Sequence, residues 1–433
     1  MSVASFESTR FAGGQRYLDV ADGIGCALVR EAIWQGDRCN WLCWNLEPGA
    51  GGAFVPVLKP ATPELYSGVS GIALFLARLQ AATGDPHQRR AARGALRQAL
   101  AATAEWWPTG SGFYAGPVGV GWSLIHIGRS LDDEVAIGRG LALLERAARE
   151  PVAPGFFDLL NGRAGAALGL VAAARAFGRG DLLAGAVRLA EELVAAARIA
   201  DGAMSWPSGL EGRDLLGLSH GTAGAALALH EVAAAAGRSD FRDAARACLR
   251  YERVHFDRWK GGWPDFRILA GQSAGEPTYP FVWCHGGVGI GLSRLRIREL
   301  DPGDAETAAE IDAVTAAVTA RLARGVSAEE DFSLCHGVAG IGEFLVELAV
   351  RVGRPEALEA ARRIGDVGAA GCHDTGSPWR CGVPQAGETP STMTGTTSIG
   401  LHYLRLFDPA CAPSLALPTG DSLDVAQPHR VAA

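Results

Sequence analysis

A short glycine step, Gly-x-x-Gly, recurs seven times along this 433-residue chain, each time at the head of an apolar run. The copies read SGVSGIALFLARL from Ser67, AGPVGVGWSLIHIG from Ala115, NGRAGAALGLVAAAR from Asn161 and HGTAGAALALHEVA from His220. They continue as HGGVGIGLSRLR from His285, HGVAGIGEFLVEL from His336 and TGTTSIGLHYLRL from Thr394. The last copy keeps Gly395 but carries Ser398 where the second glycine should stand. The leading glycines (Gly68, Gly116, Gly162, Gly221, Gly286, Gly337, Gly395) lie 48, 46, 59, 65, 51 and 58 residues apart. Each unit therefore has room for two helices and two connections.

The run after each step is apolar nearly all round, which marks a helix buried on several sides. Amphipathic segments separate the runs: His87–Trp106, Asp133–Glu150, Asp181–Arg198, Ser239–His255, Ala305–Ala323 and Pro355–Gly365. Tyr17–Trp34 is a seventh, ahead of the first step. Asp85-Pro86, Ser239 and Arg354-Pro355 read as helix starts. Seven buried helices thus alternate with seven half-exposed ones. An open solenoid and a closed ring would both bury such an array. The uneven spacing and the all-round apolar inner helices favour the ring. The expectation is an all-α fold forming one domain over residues 1–408, with every glycine step at one rim. Residues 409–433, rich in Pro and Ala, are expected to form a poorly ordered tail.

Composition removes other classes. With 48% hydrophobic and 20% charged residues, the chain can bury a large core despite 57 Gly and 22 Pro. The net charge is −7, lysine occurs only at Lys59 and Lys260, and no Lys/Arg run stands out, so no nucleic-acid partner is expected. The N-terminus lacks a basic stretch followed by an apolar one. The longest uncharged stretch, Trp106–Gly128, is broken by two Pro and six Gly, so no signal and no transmembrane segment is expected. Nine scattered cysteines suggest a reducing, cytoplasmic setting in which most thiols pack.

Three loops place His or Cys directly before the leading glycine: Ser219-His220-Gly221, Trp283-Cys284-His285-Gly286 and Leu334-Cys335-His336-Gly337. Cys and His are the residues zinc takes, and a helix N-terminus favours the thiolate needed for ligation. Cys284, His285, Cys335 and His336 could close a four-ligand structural site. Adjacent residues seldom both reach one metal, and two such pairs would strain it. Three ligands with an open fourth place are therefore preferred, with Cys284, Cys335 and His336 as the candidate group. Cys26, Cys248 and Cys411 read as packing residues. Cys39, Cys43, Cys372-His373 and Cys381 match no zinc-ribbon spacing and lie outside the glycine loops.

The motifs SHGTAG, WCHGGVG and LCHGVAG, set in seven glycine-step repeats from about Tyr17 to Leu406, resemble the lanthionine synthetase C-like (LanC-like) family. The resemblance implies an α/α toroid of seven inner and seven outer helices. It also implies a zinc enzyme that adds peptide cysteine thiols to dehydroalanine or dehydrobutyrine, forming lanthionine and methyllanthionine rings. Carried over by position, the zinc ligands fall on Cys284, Cys335 and His336. The acid/base histidine falls on His220, and the family's aspartate on Asp158 in FDLLNGRAG. Two positions depart from some family cyclases: Pro280 stands where they carry Arg, and His285 where they carry Tyr.

Thiol attack on the β-carbon of a dehydro residue leaves an enolate that needs a proton at the α-carbon, a step that suits a histidine, His220 or His285. His285 could equally serve a supporting or steric role, and Asp158 could orient His220 or merely cap the third inner helix. The substrate would be a dehydrated precursor peptide. Only 66 residues precede the first step, too few for a fused dehydratase, so dehydration is expected of a separate protein. Two other functions fit the same residues: addition of glutathione to dehydroamino acids in damaged proteins, and a non-catalytic peptide-binding toroid. Prenyltransferase β-subunits are also zinc-bearing toroids, but the Cys-His pairs in register with glycine steps argue against them. Arg258–Val282, with Trp259, Trp263 and Phe266, could line a peptide groove or simply pack as a loop.

Overall fold

The computed structural model describes residues 14–49, 54–104, 106–208, 213–267, 276–382 and 386–424. Seven helices begin directly after the leading glycines: α2 (Val69–Thr83), α4 (Pro117–Leu131), α6 (Arg163–Phe177), α8 (Thr222–Ala236), α10 (Gly287–Leu300), α12 (Val338–Val352) and α14 (Thr396–Phe407). The other seven are α1 (Gly14–Glu31), α3 (Pro86–Ala102), α5 (Glu134–Arg149), α7 (Gly180–Ala195), α9 (Ser239–Val254), α11 (Ala305–Leu322) and α13 (Pro355–Gly368). Each inner helix packs on the next, and α14 packs back on α2. Each of the first six inner helices carries the outer helix that follows it, while α1 covers α14. The start of the chain thus closes the ring at its end. The fold is the all-α toroid of seven inner and seven outer helices that the repeats imply.

The second glycine of most steps is a close-approach position. A Cβ on Gly119 would stand 1.7 Å from the carbonyl oxygen of Phe113, and one on Gly165 would stand 1.9 Å from that of Leu159. In both cases the carbonyl belongs to the residue six places upstream, so the loop folds back over the first helical turn. Gly165→Ala is expected to destabilise the chain by about 3 kcal/mol or more, because backbone must shift; urea unfolding measures this. The seventh copy shows why Ser398 is allowed. Its hydroxyl donates to the Gly395 carbonyl (2.9 Å) and accepts from the Leu334 N–H (3.1 Å), so the side chain closes the turn.

Three antiparallel hairpins were not anticipated: β1 (Ile33–Gln35) with β2 (Arg38–Asn40), β3 (Leu42–Pro48) with β4 (Phe54–Pro60), and β5 (Arg198–Ala200) with β6 (Ala203–Ser205). The expected helices Tyr17–Trp34 and Asp181–Arg198 overran into β1 and β5. Asp201 (φ 51°) and Gly202 (φ 73°) form the kind of two-residue turn that joins short strands, a signal present in the sequence. Asp85 caps α3 as expected, accepting from the His87 N–H at 2.6 Å. Ser239 does not cap α9. Arg238 takes that place and grips Asp240, because left-handed Gly237 ends α8 one residue earlier.

The tail is the main correction. Residues 409–424 are not a loose appendage; Cys411, Ala412, Leu415, Ala416, Leu417 and Leu423 are buried. The inner helices leave a lumen lined by Arg296, Glu231, Arg405 and Glu343, and this segment fills it. The final residues, 425–433, lie outside the described residues.

His230, in α8, is 1% exposed, and its Nε2 has no hydrogen-bond partner among the described residues. Burial lowers its pKa to about 4. An unfolded imidazole titrates at about 6.5, so between those values the unfolded chain binds the extra proton. Stability is therefore expected to fall as pH drops from about 6.5 to 4, with this one group contributing about 3 kcal/mol. Urea unfolding at pH 7 and pH 4 checks this, and His230→Gln should show a correspondingly shallower loss.

Candidate metal centre

The residue two places before each leading glycine lies on one circle at the rim. Backbone N–H groups donate from Tyr66 to Tyr114 (2.9 Å), Tyr114 to Leu160 (3.1 Å), Leu160 to Ser219 (3.2 Å) and Ser219 to Cys284 (3.3 Å). Cys335 donates likewise to Met393 (2.9 Å), and Met393 to Tyr66 (2.6 Å). The remaining neighbours on the circle, Cys284 and Cys335, meet through sulfur instead.

The Sγ atoms of Cys284 and Cys335 and a ring nitrogen of His336 all lie within 4.8 Å of one another. Both thiols are buried, and His336 reaches the exposed side. The Tyr66 hydroxyl donates to Cys335 Sγ at 3.0 Å. Cys284 is held below its ordinary pKa, first by the hydrogen bond from Cys335, then by the positive field of His336, Arg267 and His220. Burial pushes Cys335 the other way, so the pair favours one thiolate beside one thiol. Two soft sulfurs and an imidazole nitrogen in this compass fit zinc. His285 is not among the gathered donors, so the four-ligand arrangement is not assembled. A second grouping, Asp22, Cys26 and Asp85, spends its carboxylates on Gln88 and on the α3 N-terminus.

His220 stands on the adjoining loop. Its Nδ1 lies 2.6 Å from Asp158 Oδ2, while Asp158 Oδ1 accepts from the Asn161 N–H at 2.7 Å. Asp158 thus faces His220 through one oxygen, while the other closes the loop turn ahead of Gly162 and makes no side-chain cap on α6. His285 stacks on His220 with ring centroids 5.9 Å apart. It is almost fully buried, its Nδ1 is 3.9 Å from Asp265 and its Nε2 has no hydrogen-bond partner among the described residues. Burial, then Arg267, lowers its pKa to about 3.

Sequence reasoning missed Tyr66, Asp265 and Arg267. Tyr66 had a signal, because it occupies the register position of Cys284 and Cys335. Arg267 had none. It comes from the long segment after α9, forms a 2.7 Å ion pair with Asp265, and its charge is felt by both sulfurs. Pro280 serves through its backbone, its carbonyl accepting from the Gly287 N–H. In the same segment Trp263 is buried with its indole N–H on the Glu252 carbonyl, which is loop packing. Trp259 and Phe266 instead line an open groove of about 500 Å³ with Val254, His255, Pro277 and Tyr279. Residues 268–275 of that segment lie outside the described ones. No described helix is long and apolar enough to cross a membrane.

The family model described as lanthionine synthetase C-like protein matches residues 59–417. This match starts later than Tyr17 and runs past Leu406. Among solved structures, a chain titled nisin cyclase matches with 16% identity and a TM-score of 0.60, over 79% of this chain and 88% of that one. An α-1,6-mannanase from Salegentibacter matches with 10% identity and a TM-score of 0.46, over 91% and 99%. No protein with a curated description matches the sequence. With its glycine-step ring, its rim of Cys and His, and a family match over most of its length, the chain belongs to the lanthionine synthetase C-like family.

Proposed function

We propose that the chain is a zinc-dependent cyclase. It would add cysteine thiols of a dehydrated precursor peptide to dehydroalanine or dehydrobutyrine in the same peptide, closing lanthionine and methyllanthionine rings. The observation that carries this reading is the convergence of Cys284, Cys335 and His336 within 4.8 Å, beside the His220–Asp158 pair. Family membership and the likeness to nisin cyclase support the reaction class. Dehydration is assigned to a separate dehydratase, and the setting to the reducing cytoplasm.

Zinc held by Cys284, Cys335 and His336 would leave one position for a substrate thiol and lower that thiol's pKa. The residues around it do the rest. The positive charge of Arg267 favours sulfur in its anionic form. Attack by the thiolate on the β-carbon forms the C–S bond and leaves an enolate whose α-carbon takes a proton. His220 is built for that transfer. Asp158 accepts from its Nδ1–H and fixes the tautomer, so Nε2 carries the moving proton. The proton lost by the thiol is the one gained at the α-carbon, so the reaction is an isomerisation. His285, whose side chain is 2% exposed against 35% for His220, serves as a wall behind the acid/base residue rather than as a second one.

The test is a purified chain incubated with a dehydrated peptide that contains cysteine. Ring closure leaves the mass unchanged but removes the free thiol, so the product resists alkylation. A product that still alkylates fully overturns the cyclase reading. With glutathione supplied in a parallel incubation, mass gain by glutathione in place of ring closure would favour the scavenging function instead.

A further inference from the structure

The partners of the C-terminal segment trace its path. It leaves α14 at the end of the ring away from the glycine rim, where the Arg405 guanidinium donates to the Pro409 and Ala412 carbonyls. It then rises to the rim. There Leu415 O accepts from the Tyr114 hydroxyl (2.6 Å) and Ala416 O from the Trp283 indole N–H (2.8 Å). It descends again, with the Gly420 N–H on Glu231 (2.9 Å), Asp421 on Arg296 (2.9 Å), the Ser422 hydroxyl on Trp122 (2.9 Å) and the Leu423 carbonyl on Arg129. The family match ends at residue 417, inside this plug.

We propose that residues 409–424 are a positioning element of the metal centre. Trp283 directly precedes Cys284, and its ring meets that of Tyr114 edge-on at 5.0 Å. Cys284 is tied to Ser219 on one side through its carbonyl. On the other side its link to Cys335 runs through sulfur. The loop is closed on itself by the Gly287 N–H on the Pro280 carbonyl, and further support comes from beneath, where the apex carbonyls of the plug hold Trp283 and Tyr114. The plug thereby sets the height and direction of the Cys284 loop, and with it the distance between the two sulfurs. The zinc arm of the test rests on the reading of Cys284 as a ligand; the thiol-labelling arm does not.

Three proteins test this: the full chain, its Trp283→Phe variant, and a chain ending at Asp408. Iodoacetamide labelling of the metal-free proteins, read by peptide mass spectrometry, compares Cys284 with Cys26 on the outer layer. Zinc affinity is read by chelator competition, and folding by circular dichroism and Tm. Trp283→Phe keeps an aromatic ring, though a smaller one, and loses the N–H donor. Its Cys284 should label about tenfold faster relative to Cys26, and its zinc affinity should fall about tenfold, for the loss of one hydrogen bond. Its helical signal should be unchanged. The truncated chain should show larger effects, reversed by adding a peptide of residues 409–424. Labelling and affinity within twofold of the full chain, in either folded variant, would overturn the proposal. If the truncated chain does not fold, Trp283→Phe alone decides. If the full chain binds no zinc, the functional reading fails while labelling still decides the role of the plug.

Discussion

Cys335→Ala is expected to cut bound zinc to under about a tenth of the wild-type content and ring closure by about 10³-fold or more, since two protein ligands cannot hold the ion at a three-ligand site. Cys335 is the middle member of the group. Its sulfur receives the Tyr66 hydroxyl, faces Cys284, and is followed directly by His336. Removing it leaves one thiolate and one imidazole on different loops. The backbone bond from Cys335 N–H to Met393 does not involve the side chain, so the rim should survive the change. Elemental analysis after gel filtration gives the zinc content, and the alkylation assay gives the rate. Cys26→Ala, on the outer layer, should alter neither.

The second large effect concerns proton transfer. His220→Asn should lower the cyclisation rate by about 10²–10⁴-fold, the usual worth of a positioned acid/base group. Zinc content should be unaffected, because His220 is not one of the gathered ligands. Asp158→Asn keeps an oxygen for the Asn161 N–H but can no longer hold His220 in one tautomer, so a loss of about tenfold or more is expected. Retained activity in both variants would remove His220 from the mechanism. Loss of zinc in either would instead make it part of the metal site.

The architecture was legible because one physical constraint repeats. In five of the seven copies a loop carbonyl that closes over the first helical turn admits no Cβ, so the second glycine there marks an inner helix. The same register exposed the site: Cys284 and Cys335 share one position in the repeat, and His220, His285 and His336 share the next. Tyr66 could have been found by extending that comparison to the first copy. The Asp158–His220 contact joins two loops 62 residues apart, and the packing of α6 on α8 brings them together. The hairpins escaped because short strands such as Ile33–Gln35 carry little periodicity beside a long amphipathic helix. The plug escaped for a different reason. Its Pro, Ala and Ser residues look like those of a loose tail, and its order comes from donors on the inner helices and the rim, among them Trp122, Arg296 and Trp283. Arg267 reaches the sulfurs from a segment with no repeat register at all.

The central claim is a zinc centre of two cysteines and one histidine with a place for a substrate thiol. X-ray absorption at the zinc edge of the purified chain tests it most directly. Two sulfurs at about 2.3 Å and two lighter atoms near 2.0 Å are expected, and a third sulfur should appear on adding a cysteine-containing dehydrated peptide. A zinc shell without sulfur, or one whose sulfur count does not rise with the peptide, would contradict it.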